Sequence, residues 1–135
     1  MELSQIQWLE PPPPDPSGER HLNCFQQTIR VHYDLLGMDE EQAMRLGCYL
    51  GGGMRCGGTC GPVNAALLLL SQLYGDDPDR VDEGKRFLLN FARNNGGSWL
   101  CADIRDETHV RCEAAIRYAI DYIARRRAEA SSDER

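Results

Sequence analysis

A chain of 135 residues, 41% of them hydrophobic, is long enough for one domain with a real core and too short for two. Its formal net charge of −6 argues against a nucleic-acid partner, because phosphate binding is driven by Lys and Arg displacing counterions. No stretch approaches the ~20 apolar residues of a membrane span, and Glu2 stands where a secretory leader would be basic, so a soluble cytoplasmic protein with no membrane partner is expected.

From the N-terminus, residues 1–20 read as an arm. Pro11 to Pro14 with Pro16 form a stiff, extended stretch that cannot enter a helix interior. Ahead of it, Ile6, Trp8 and Leu9 read either as docking on the domain or on a second subunit of a homodimer, or as part of a mobile tail. Residues 21–127 read as an all-α bundle of about five helices. Phe25, Ile29, His32 or Tyr33 and Leu36 recur at three- and four-residue intervals, predicting a first helix over 24–36 capped by Asn23 and stopped by Gly37. A second follows Asp39 and carries Ala43, Leu46 and Leu50 until glycines break it. The third runs from Thr59 or Cys60 to Tyr74, closed by Gly75, and its nearly continuous apolar stretch predicts a central position.

A fourth helix is expected over 79–92, presenting Val81, Phe87, Leu88 and Phe91, and "NNGGS" ends it. Ser98 then caps a short turn, "WLCADI", and Thr108 opens the last long helix. Arg125, Arg126 and Arg127 decorate the carbonyl end of that helix, and residues 128–135 form a frayed polar tail. No hairpin signal and no long alternation predict a strand.

Six cysteines are many for such a chain: Cys24, Cys48, Cys56, Cys60, Cys101 and Cys112. In a reducing compartment they read as reactive thiols, ligands or core residues rather than structural disulfides. In the stretch "GGGMRCGGTCGP", five glycines between Gly51 and Gly58 lead to Cys60. With Thr59 as N-cap, Cys60 is the first helical residue, where free N–H groups and the helix dipole favour a thiolate. Pro62 suits the first turn. Cys24 after Asn23, Cys101 after Ser98 and Cys112 after Thr108 fall near three further helix starts, which a bundle can gather at one end.

Cys56, four residues before Cys60, reads as a resolving thiol, a metal ligand or a bystander, and Cys48 reads as packing. His109 precedes Cys112 by three residues and His21 precedes Cys24 by the same interval; each reads as coincidence or as a group that orients or ionises its thiol. Arg55 and Arg111 read as solvated or as thiolate partners. The acidic runs Asp39-Glu40-Glu41 and Asp76-Asp77 sit at helix starts, where caps and dipoles account for them. "GGGMRCGG" lacks a following Lys-Ser or Lys-Thr and a preceding strand, so it is no phosphate loop.

These residues together resemble the C_GCAxxG_C_C family, over about residues 22–123. The likeness rests on "NC" opening the first helix, "GGGM" before "TCG", "WLCADI" and a lone cysteine opening the last helix. The family's four cysteines match Cys24, Cys60, Cys101 and Cys112. Pro62 stands where the family usually has Ala, and Ala65 where it has Gly. The resemblance implies redox activity at those cysteines, with selenium in place of sulfur in some members.

Three functions stay open. In the first, Cys60 or its neighbours attack a disulfide of a substrate or redox partner, as in a thiol-dependent oxidoreductase. In the second, Cys24, Cys60, Cys101 and Cys112 hold a [2Fe–2S] cluster or zinc. In the third, the chain is a non-enzymatic helical interaction module.

Overall fold

The structure, a computed structural model, describes residues 2–10 and 21–133. The run Pro11 to Pro14 with Pro16 lies outside the described residues. The α-helices are α1 (Cys24–His32), α2 (Glu40–Leu46), α3 (Gly61–Tyr74), α4 (Glu83–Asn94), α5 (Cys101–Ile104) and α6 (Val110–Asp133). Among the described residues there is no strand, only a single antiparallel bridge between Thr59 and Leu100, so the fold is all-α.

Helix α1 starts at Cys24 because Asn23 makes a reciprocal cap: its side chain accepts from Gln26 N at 2.9 Å, and the Gln26 side chain accepts from Asn23 N at 2.9 Å. The Asn23 amide also donates to Gly47 O at 2.7 Å, tying the end of α2 to the start of α1. Asn23→Ala is expected to destabilise the protein by about 1–2 kcal/mol, read as a lower urea midpoint. An unchanged midpoint would mean that neither bond contributes.

The expected helix over 24–36 ends as an α-helix at His32. Tyr33–Leu36 tighten into a 3-10 turn, closed by Gly37 at φ 69°. His32 turns inward, with Nε2 3.1 Å from Ile120 O and Nδ1 3.2 Å from Arg127 Nη1. The carbonyl only accepts and the guanidinium only donates, an arrangement that suits a ring donating from Nε2 and accepting at Nδ1. Asp39 caps α2 as Asn23 caps α1, and Glu40 and Glu41 occupy its first turn. Helix α2 stops at Leu46, short of Leu50: Gly47 is its C-cap, with its N–H donating to Met44 O at 3.2 Å, and Leu46 faces outward.

Helix α3 packs against α1, α4 and α6, and Val63, Ala65, Ala66 and Leu69 are wholly buried, in agreement with its apolar sequence. The 79–92 expectation needs correction. Asp77 caps a separate 3-10 turn, Pro78–Arg80, and α4 begins only at Glu83, leaving Val81 80% exposed. Phe87 and Phe91 are buried and form an aromatic cluster with Tyr118 and Tyr122; Phe87 meets Tyr122 edge-on with ring centroids 4.9 Å apart.

The arginine run is not terminal decoration. Helix α6 continues to Asp133, Arg126 pairs with Glu83 of α4, and Arg127 pairs with Asp34 beyond α1. At the other end of the chain Leu9 reaches the glycine-rich loop, where its N–H donates to Arg55 O at 2.6 Å, while Trp8 stays 63% exposed. Among the described residues, no helix is long and apolar enough to cross a membrane.

Candidate thiol site

Two short segments bring the first pair of cysteines together. Residues 58–60 run antiparallel to 99–101, with Cys60 N donating to Trp99 O at 2.8 Å and Cys101 N donating to Gly58 O at 2.7 Å. Thr59 is therefore a bridge residue rather than the helix cap. Cys60 itself is the N-cap of α3, and its carbonyl accepts from Val63 N and Asn64 N. Cys101 is the first residue of α5, whose N-cap is Leu100. Ser98, expected to cap that turn, instead accepts from Leu100 N and donates to Asp103.

Cys24 arrives from the first residue of α1. It sits so close to α3 that a Cβ on Gly61 would lie 2.7 Å from its sulfur. Cys112, the third residue of α6, completes the set. The four line one crevice with Pro62, Ile104 and Arg105. Its volume of about 10 Å³ is at the lower limit for a single water, so the thiols form a packed cluster.

Their electrostatics reverse the expected activation of Cys60. Only 6% of Cys60 is exposed. Burial pushes its thiol far above the ordinary value, the neighbouring Cys24 adds to this, and the Val63 amide opposes it without prevailing. Cys101 is pushed up to about 11 by burial, then by Cys24 and Cys112; Arg105 pulls the other way. Cys112 is also raised, by burial first and then by Cys24 and Asp106. A helix terminus contributes typically under 1 kcal/mol, whereas burial can shift a group by several pKa units, so desolvation wins. At neutral pH these three are thiols.

No disulfide joins the cysteines. Among the described residues, no group of three or more His, Cys, Asp or Glu is arranged to hold a metal ion.

Cys56 and Cys48 are absent from the crevice lining. Cys56 is half-buried in the glycine-rich loop, its thiol 3.5 Å from Gly53 O. Cys48 lies past the end of α2 against Gln26 and Met44 O. His109 does not share a helix with Cys112: it precedes α6 with a left-handed φ of 59°, and its side chain is exposed. His21 is exposed ahead of the α1 cap. Arg55 donates to Leu9 O at 3.0 Å, and Arg111 is exposed. Arg105 escaped the sequence reading, although "CADIR" places it one helical turn after Cys101, on the same face.

No curated protein and no solved structure gives a significant match to the chain. A family model described as "Putative redox-active protein (C_GCAxxG_C_C)" matches residues 22–126, more than half of the sequence and all four crevice cysteines. The chain belongs to the C_GCAxxG_C_C family.

Proposed function

We propose that the protein is a dithiol redox protein whose Cys24, Cys60, Cys101 and Cys112 cycle between thiols and disulfide. The observation that carries this reading is the meeting of four sulfurs, drawn from α1, α3, α5 and α6, in one crevice. Packing alone has no need of four thiols at four helix starts. In the reaction, two protein thiols become one disulfide while a substrate disulfide takes up the two electrons and two protons and leaves as two thiols. A reducing compartment such as the cytoplasm resets the pair.

The test is a redox titration of the native protein against glutathione buffers, with thiol counting and peptide mapping. Two thiols are expected to be lost reversibly, and the mapped disulfide should draw on the crevice quartet. Cys60→Ser should abolish that disulfide or change its partners. A metal-loaded preparation with visible absorption, or no reversible loss of thiols, would overturn the reading.

A further inference from the structure

Five residues before Cys60 the backbone does something unusual. Gly52, Gly53, Met54 and Arg55 are all left-handed, with φ of 61°, 60°, 62° and 64°. Glycine takes this conformation freely, but Met54 and Arg55 do so against the preference of L-residues. The turn is held by Arg55 N to Gly51 O at 2.9 Å, Gly57 N to Gly52 O at 3.2 Å and Gly58 N to Gly53 O at 2.9 Å. The N-terminal arm clamps it from outside: Leu9 N donates to Arg55 O, and Arg55 Nε donates to Leu9 O.

This turn touches two cysteines through Gly53. Cys56 donates its S–H to Gly53 O on one side. On the other, Gly53 is so close to α5 that a Cβ there would lie 2.7 Å from the Cβ of Cys101. Gly53 is thus a neighbour of both Cys56 and Cys101. Accessibility divides the two: Cys56 is half-exposed and Cys101 is buried. The sequence pairs Cys56 with Cys60, whereas the fold sets it beside Cys101.

We propose that Cys56 is the thiol that first attacks a substrate disulfide and then passes the oxidation to the crevice through Cys101. The inference rests on the dithiol reading above and adds to it a fifth thiol and an order of events. Cys56 as thiolate attacks one sulfur of a low-molecular-weight disulfide; the S–S bond breaks, a mixed disulfide forms on Cys56, and the other half leaves as a thiolate that takes up the Cys56 proton. Cys101 then attacks the Cys56 sulfur, the second half leaves as a thiol carrying the Cys101 proton, and a Cys56–Cys101 disulfide remains. Two protein thiols are oxidised and one substrate disulfide is reduced to two thiols. Exchange with a crevice thiol regenerates Cys56.

The test uses the full-length reduced protein with oxidised glutathione, quenched by alkylation at intervals and mapped by mass spectrometry. A glutathione adduct at Cys56 should appear first, followed by Cys56–Cys101. In Cys56→Ser, oxidation of the quartet should be about tenfold slower or more, while the thermal melt stays that of the wild type. In Cys101→Ser, the Cys56 adduct should persist. A first adduct at Cys24 or Cys112, with Cys56→Ser oxidising at the wild-type rate, would overturn this order and leave the dithiol reading standing. No disulfide at all in the wild type would overturn both.

Discussion

Glu83→Ala is expected to melt roughly 10–20 °C below the wild-type protein, equivalent to about 3–5 kcal/mol. Glu83 opens α4, yet its carboxylate is only 4% exposed and turns toward α6. Its Oε1 accepts from Tyr122 Oη at 2.7 Å and from Arg126 Nε at 2.6 Å, and Arg126 Nη2 donates to Tyr122 Oη at 3.0 Å. The Arg126 guanidinium also stacks 4.6 Å from the centroid of the Tyr122 ring. Removing the carboxylate leaves the buried Tyr122 hydroxyl and the Arg126 Nε without their acceptor, although Arg126 Nη1 keeps Glu129 at 3.1 Å, and a lost partner in a buried cluster costs more than the pair contributes. Glu83→Gln keeps an acceptor and should lose less.

The two ends of the pH scale test the same cluster. Burial raises the Glu83 carboxyl, but hydrogen bonds from Tyr122 and Arg126 outweigh it and hold the group below its ordinary 4.5. Its contribution is therefore complete above about pH 4.5 and is lost as pH falls through the lower folded value. Tyr122 behaves oppositely. Burial, and then its bond to Glu83, push it up from 10 to about 12, so its contribution is complete below pH 10 and is lost between 10 and 12. Melting temperatures should fall more steeply for the wild type than for Glu83→Gln below pH 4.5, and more steeply than for Tyr122→Phe above pH 10. Parallel curves would mean that the cluster carries no linked protons.

Legibility in the sequence followed the range of the interaction. Asn23 and Asp39 as caps and Gly37 and Gly75 as stops act within a few residues, and the structure places each where the local pattern put it. The nearness of four cysteines to helix starts rested on the same local signals. It survives a one-residue slip at Cys60, which caps α3 where Thr59 was expected to. The ionisation of those thiols was not legible, because burial is decided by residues far away in the chain. The same holds for Arg126, whose partner Glu83 lies 43 residues earlier, and for Arg127, which reaches back 93 residues to Asp34. Glycines at 51–53 announced a bend, but nothing in "MR" announces that Met54 and Arg55 extend it in the left-handed region.

The second large effect is expected at Gly61, where the start of α3 lies against the start of α1 beside Cys24. A helix-first-turn glycine ordinarily gains up to about 1 kcal/mol on becoming alanine, through propensity alone. Here the added Cβ would stand 2.7 Å from Cys24 Sγ, 2.8 Å from Phe25 N and 3.3 Å from Phe25 Cα. A sulfur can swing aside, but the Phe25 backbone cannot: its ring is wholly buried, and Asn23 fixes the start of the helix with three hydrogen bonds. Relief must come from α1 and α3 moving apart, so the sign reverses. Gly61→Val should be destabilised by roughly 3 kcal/mol, toward the upper end for an overpacked site, with Gly61→Ala intermediate. The same displacement widens a crevice that now barely admits one water, so the buried Cys60 thiol should react with a thiol reagent faster in the native variant than in the wild type. Urea melts and native-state labelling rates measure the two effects separately. A valine variant as stable and as slowly labelled as the wild type would mean that α1 and α3 do not meet at Gly61, and that Cys24 is held beside Cys60 by something else.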